Sequence, residues 1–401
     1  MTVTNQLLQE KKQARANLTA QLAASLTASP PSLPSLCLWD QRGLQLFEEI
    51  THSAGYYPFA AEANLLKESI DDILSCISEH SVMLELGSGS LEKTSIILQG
   101  LSNLGRSVDY YALDVSATEL DRSLRGLRAT LGSGSTVQCH ALVCTYDEGL
   151  LWLEKDPSLR GRDVTILWLG SSIANEPPRS IQRLLYAYRT ASEASGVGKL
   201  QFLIGVDGCK EASRIRRAYD LPSGLNREFA MNAITSINFS MGCQVLDPKA
   251  WQFHGTWNMK SSRYETGLAP VCNAKVEVGG RTVSFRSNDV VHLIYSQKWD
   301  CQDVDDILAD TKFAIQERWT SSDVAYSMDI SPIDHDGANL WLSIVFGWLK
   351  TIERLKVGYF SITIATTIMG FLIANAITRS AYHIASALDA NQLLSHHEYS
   401  I

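Results

Sequence analysis

Ser81-Val82-Met83-Leu84-Glu85-Leu86-Gly87-Ser88-Gly89-Ser90 is the stretch on which the reading of this chain turns. A short, mostly apolar run of strand length leads straight into two glycines one residue apart. A helix-forming sequence opens near Leu91. Strand, glycine-rich turn and helix, in that order, open a doubly wound sheet, with the turn at the carboxyl end of the strand. The alternation continues outward. Strands are expected over 107–115, 137–143, 164–169 and 200–206, with helices between them, and Ser116 begins one of these with a capping signal. The spacing is that of βαβ units. The expected fold class is α/β, a doubly wound, mostly parallel sheet.

Residues 1–35 read as an N-terminal extension, a short helix followed by the link Ser29-Pro30-Pro31-Ser32. Helices are expected over 36–50 and 60–80. The second carries Leu65, Leu66, Ile70, Ile73 and Leu74 on one stripe. Residues 36–207 are thus read as a ligand-binding core with a helical cap. Beyond 208 the pattern changes. Residues 214–239 are largely helical, while 253–268, 274–285 and 290–296 read as longer, alternating strands. They predict a second, smaller α+β lobe over 208–318, after which 319–330 returns to the main sheet as one strand. Residues 331–401 form a C-terminal extension. Its segment 357–378 carries no charge and is flanked by Lys350, Arg354, Lys356 and Arg379. It is long enough to span a bilayer, with flanks that would keep the rest on the cytoplasmic side. Thr363, Thr366, Thr367 and Asn375 dilute the run, so a membrane anchor and a packed apolar helix both fit.

The 401 residues are 45% hydrophobic and 19% charged, in keeping with a globular protein that has a sizeable core. A formal net charge of −8 argues against a nucleic-acid partner. The eight cysteines contain no C-x-x-C pair, so neither zinc nor another metal is expected. The N-terminus lacks a basic-then-apolar signal. The expectation is a cytoplasmic protein with free thiols.

Gly87 and Gly89 allow a ligand to approach the backbone closely, because no Cβ stands in the way. The helix that follows turns its N–H groups toward an anionic ligand group. Asp114 ends the second strand, 27 residues after Gly87, and is placed to accept both hydroxyls of a ribose. Thr145 and Tyr146 follow a later strand, where they could border an adenine. The glycines could equally form a plain tight turn, and Asp114 a helix cap. E-x-G-x-G after a strand suits a dinucleotide or the methyl donor S-adenosyl-L-methionine (SAM). The third glycine of a dinucleotide fingerprint is replaced here by Glu92, which weighs against NAD and FAD.

Several segments, in order, carry a resemblance. They are Leu38-Trp39-Asp40-Gln41-Arg42-Gly43, Tyr56-Tyr57-Pro58, Glu85 to Thr94, Tyr111-Ala112-Leu113-Asp114-Val115-Ser116, Gly170-Ser171-Ser172-Ile173-Ala174-Asn175 and Gly205-Val206-Asp207. Over residues 36–330 the chain resembles the histidine-specific N-methyltransferase family. That family includes the Nα-histidine methyltransferases of ergothioneine synthesis and the fungal dimethylallyltryptophan N-methyltransferases of ergot alkaloid synthesis. The resemblance implies SAM as cofactor and a small amino-acid substrate. It implies that Gly87, Lys93, Asp114, Thr145 and Tyr146 contact the cofactor. It implies that Tyr56, Asn175 and Tyr219 hold the substrate's amine and carboxylate. Taken alone, Tyr56 and Tyr219 would pass for packing residues and Asn175 for a helix cap.

The chain departs from the histidine enzymes in His292-Leu293-Ile294-Tyr295-Ser296-Gln297-Lys298-Trp299. Ser296 is kept, but Ile294 stands where those enzymes carry a glutamate that grips the imidazole, and Thr266 stands where a methionine is usual. A site that loses its acceptor loses discrimination for a hydrogen-bonding ring. The implied substrate is a larger or less polar aromatic amino acid, tryptophan or a prenylated tryptophan, methylated on its α-amine in alkaloid-type secondary metabolism. The alternatives are histidine itself, toward ergothioneine, and an inactive, membrane-tethered SAM-binding scaffold.

Overall fold

The computed structural model describes residues 3–333. The segment 357–378, and with it the expected anchor, lies outside the described residues. No helix among the described residues is long and apolar enough to cross a membrane.

The amino-terminal part is helical: α1 (Val3–Leu26), α2 (Gln41–Thr51), α3 (Tyr57–Glu68) and α4 (Ile70–Ser75). Asp40 caps α2 by accepting from the Gly43 N–H at 2.8 Å. The single helix expected over 60–80 is instead two. It starts early, at Tyr57, because Pro58 sits in the first turn, where its missing N–H costs nothing. It breaks at Ser69 (φ −111°, ψ 15°), and Asp71 and Asp72 then favour a fresh N-terminus for α4.

The alternating core follows as β1 (Ser81–Leu86), α5 (Glu92–Asn103), β2 (Val108–Asp114), α6 (Ala117–Leu131), β3 (Val137–Val143), α7 (Tyr146–Lys155), β4 (Val164–Trp168), α8 (Pro178–Ser195) and β5 (Leu200–Asp207). The five strands run parallel in the order β3-β2-β1-β4-β5. Every residue of β1, β4 and β5 is buried, as strands covered by helices on both faces require. The order reverses between β1 and β4. That is the switch point, where the carboxyl ends of an open α/β sheet leave a crevice.

Next come α9 (Ala212–Tyr219), α10 (Leu225–Met241), β6 (Trp251–Asn258), β7 (Arg263–Pro270), β8 (Ala274–Val278), β9 (Arg281–Phe285) and β10 (Val291–Gln297). The long strand expected over 253–268 is a hairpin, β6 with β7, turning at Ser262 (φ 47°). The stretch 274–285 is also a hairpin. It turns on Gly279 and Gly280, both at positive φ, the two-residue turn whose twist matches its strands. The sheet order here is β10-β7-β6. After α11 (Cys301–Ala309), the single strand expected over 319–330 is in fact two, β11 (Glu317–Thr320) and β12 (Tyr326–Pro332). The two pair antiparallel, and β12 also pairs antiparallel with β5.

Two apolar clusters hold these layers. One packs α3, α5 and α6 on the main sheet through Leu66, Ile97, Leu98, Leu124, Met83 and Met328. The other joins the amino-terminal segment to α10 and the smaller sheet through Leu38, Leu46, Ile50, Ala233, Ile237 and Leu268. Helix α2 is therefore seated on α10. A buried carboxylate links α3 to the sheet. Glu62 is fully buried and accepts from the Gly170 N–H at 2.8 and 2.9 Å and from the Lys93 ammonium. It lies across Gly205 of β5, where a Cβ would come within 1.9 Å of Glu62 Oε1. Gly205→Ala should accordingly destabilise the protein by about 1–3 kcal/mol. Urea unfolding measures this, and an unchanged midpoint would show that α3 lifts from β5 without cost.

Candidate active site

The carboxyl end of β1 builds one wall. Gly87 and Gly89 adopt φ of 70° and 55°, a conformation that side chains with a Cβ rarely accept. The turn is tied to β2, since the N–H groups of Gly87 and Ser88 both donate to Leu113 O, at 3.0 and 3.1 Å. Asp114 finishes the connection by accepting from the Val115 N–H at 2.7 Å and the Gly89 N–H at 3.3 Å. Burial raises its pKa and these backbone donors oppose the rise. A Cβ at Gly87 would lie 2.8 Å from the Tyr146 hydroxyl, whereas Gly89 meets nothing within 4 Å. The turn is thus tight on one side and open on the other. Thr145 caps α7 in a reciprocal capping box with Glu148. Tyr146 meets Trp168 edge-on at 6.0 Å.

A second wall comes from loops and the smaller sheet. Asn175 ends a short 3₁₀ turn (Ser172–Asn175) after β4. Tyr56 precedes α3 and Tyr219 ends α9, and their rings meet edge-on at 5.8 Å. Tyr219 stacks on Tyr264 at 5.1 Å, and its hydroxyl contacts those of Tyr56 and Ser296. Ile294 of β10 pairs directly with Thr266 of β7.

Between the walls lies a cavity of about 740 Å³. Its lining takes in Gly87, Lys93, Asp114, Thr145 and Tyr146 at one end, and Tyr56, Asn175, Tyr219, Thr266, Ile294 and Ser296 at the other. Every residue expected at the site from the sequence lies on this one surface. Lys93 does so while paired to Glu62, an attachment the sequence does not announce.

The structure adds residues not expected at the site. Trp39, Phe47 and Phe229 form an aromatic wall, with ring centroids 5.2–5.8 Å apart. Asp207, fully buried at the end of β5, accepts from the Tyr57 hydroxyl and from Lys298 Nζ, both at 2.6 Å. The single charged residue of β5, at its end, and a lone lysine after β10 are the signals the sequence offers. Glu85 is buried under the turn. It accepts from Thr94 Oγ1 at 2.7 and 2.8 Å and from the Tyr110 hydroxyl, and burial pushes it up to about 7. Across the mouth, α2 reaches the first wall by two exposed pairs. Glu48 meets Arg122 at 2.6 Å, and His52 meets Glu92 at 2.9 Å.

The model of the histidine-specific, SAM-dependent methyltransferases matches residues 18–331. The chain belongs to this family. It is a SAM-dependent N-methyltransferase, and it is similar to several fungal proteins. The N-methyltransferase imqF of Aspergillus flavus is 32% identical over 331 residues, covering 82% of this chain and 88% of the relative. The ergothioneine biosynthesis protein 1 of Neurospora crassa is 32% identical over 293 residues, 73% of this chain and 32% of that longer protein. The 4-dimethylallyltryptophan N-methyltransferase easF of Arthroderma benhamiae is 30% identical over 258 residues, 63% of this chain and 75% of the relative.

The cavity of this family member suits a sulfonium nucleoside. Its wall holds the open turn at Gly89 and the Asp114 carboxylate. It also holds two residues, Ser88 and Trp168, whose buried Oγ and Nε1 have no partner among the described residues and could be satisfied by a ligand. Asp114→Ala is expected to weaken SAM binding by about 2–3 kcal/mol, roughly a hundredfold. Calorimetry measures the change, and an unaltered Kd removes Asp114 from the donor site. Glu85 yields a pH prediction. Its folded-state pKa lies above the ordinary 4.5, so the native state holds the proton more tightly and stability falls as pH rises from 4.5 to about 7. Glu85→Gln lacks this loss. Its stability relative to the unaltered protein should improve across that window in denaturant titrations, and a constant gap would count against the assignment.

Proposed function

We propose that the enzyme methylates the α-amine of a bulky aromatic amino acid, tryptophan or a prenylated tryptophan, in fungal-type secondary metabolism. The observation that carries this reading is the pairing of Ile294 with Thr266 on the cavity wall, where the histidine enzymes place a glutamate and a methionine. An aliphatic branch there offers an imidazole no carboxylate to grip. Trp39, Phe47 and Phe229 supply apolar surface for a larger ring. The relatives named as an N-methyltransferase and as a 4-dimethylallyltryptophan N-methyltransferase support the same class. The relative named for ergothioneine biosynthesis supports the second reading, histidine as acceptor.

In this reading Gly87, Asp114, Thr145 and Tyr146 would hold SAM. Lys93 would act beside them through its pair with Glu62. Bound SAM supplies an electrophilic methyl group on sulfonium. The protein's contribution is alignment, which accounts for much of the acceleration of an in-line displacement. Asn175 can accept an amine N–H through its side-chain carbonyl and so turn the nitrogen lone pair. Tyr56 and Tyr219 can donate to the carboxylate. Burial keeps both phenols protonated well above neutral pH, so they serve as donors and not as bases.

Incubation with SAM and each of tryptophan, 4-dimethylallyltryptophan, tyrosine and histidine, read by mass spectrometry, tests the proposal. The indole substrates should exceed histidine in kcat/KM by at least about tenfold. Ile294→Glu should shift the ratio toward histidine. Histidine as the best acceptor of the unaltered enzyme would overturn the reading.

A further inference from the structure

A buried ion pair stands at the substrate end of the cavity, whose lining includes Lys298 itself. Lys298 and Asp207 are 1% and 0% exposed. Such a pair is a poor stability device, because an apolar pair of similar volume is often at least as stable. Its geometry offers another role. The Asp207 carboxylate is fully engaged, with Oδ2 accepting from Lys298 and Tyr57 and Oδ1 accepting from the Cys209 N–H at 3.0 Å. That fixes the ammonium. A second N–H of Lys298 reaches Tyr219 Oη at 2.7 Å.

An ammonium has donors and no acceptor, so the direction of this last bond is set: Tyr219 must accept. Its own proton is thereby turned away from Lys298. Tyr219, Tyr56 and Ser296 form a cluster of hydroxyls, with Tyr219 in contact with the other two. With Lys298 donating, the Tyr219 proton points away from the ammonium, into the cluster and the cavity that all three residues line. Charge-assisted donation at one end of such a chain also polarises the donor at the other.

We propose that Lys298, held by Asp207, is a positioning residue that orients the hydroxyls of Tyr219, Tyr56 and Ser296 so that they present a proton to the carboxylate of the amino-acid substrate. The inference rests on the amino-acid reading given above. It assigns to Lys298 no contact with substrate, only control of which way the hydroxyls point.

The test pairs each substrate with its decarboxylated amine, tryptophan with tryptamine and histidine with histamine. It compares the unaltered enzyme with Lys298→Met, Tyr219→Phe and the double variant. Lys298→Met should raise KM for the preferred amino acid by about thirtyfold while changing kcat little, the split expected for lost ground-state binding. KM for the amine should stay within about threefold. The double variant should be no worse than Tyr219→Phe alone, because Lys298 acts through Tyr219. Calorimetric SAM affinity reports whether each variant is folded. If Lys298→Met is not, Asp207→Asn combined with Lys298→Met removes both charges and carries the same expectations. Equal losses on amino acid and amine, or additive losses in the double variant, overturn the inference and leave the function intact. An unaltered enzyme that uses the amine as readily as the amino acid overturns both.

Discussion

Glu62 has no exposure to water, and a carboxylate in that position must be met on every side or it unfolds what surrounds it. It is met by the backbone after β4, by the ammonium on α5 and by the glycine surface of β5. Each of these belongs to a different βα unit, and the carboxylate itself belongs to α3. One side chain therefore sets the height of α3 over the sheet. Tyr56 and Tyr57 stand at the start of that helix, so the position of their rings follows from a bond made one and a half turns further on.

The two ends of the cavity are built on different principles. The end at Gly87 and Gly89 is backbone: a turn at positive φ, N–H groups, and one carboxylate that ties the turn to the next strand. The opposite end is side chains brought from distant parts of the chain, such as Tyr57 on Asp207 and Trp39 on Phe229. Main-chain donors stay the same whatever side chains surround them, whereas a wall of side chains can be altered one residue at a time.

The same division sets how much of the molecule its sequence declares. Residues 81–90 and Asp114 declare themselves because strand, glycine turn and strand-end acid are local patterns. The core strands were legible for the same reason, with β3 falling on 137–143 as expected. Local breaks were not. Ser69 interrupts an apolar stripe that runs on without a gap, and the turn at Ser262 carries no glycine or proline to mark it. Gly279-Gly280 did carry such a mark, and the hairpin there could have been read. Lys298 is marked in the sequence only as a lone lysine after β10, because its meaning depends on Asp207 and Tyr219, 91 and 79 positions away.

Helix α2 is fastened unequally. Leu46 and Ile50 are almost wholly buried against the α10 side, whereas Glu48–Arg122 and His52–Glu92, which cross to the wall of the glycine turn, are wet and screened by salt. One fastening is apolar and indifferent to ions, the other is ionic, so added salt slackens α2 on the glycine-turn side alone.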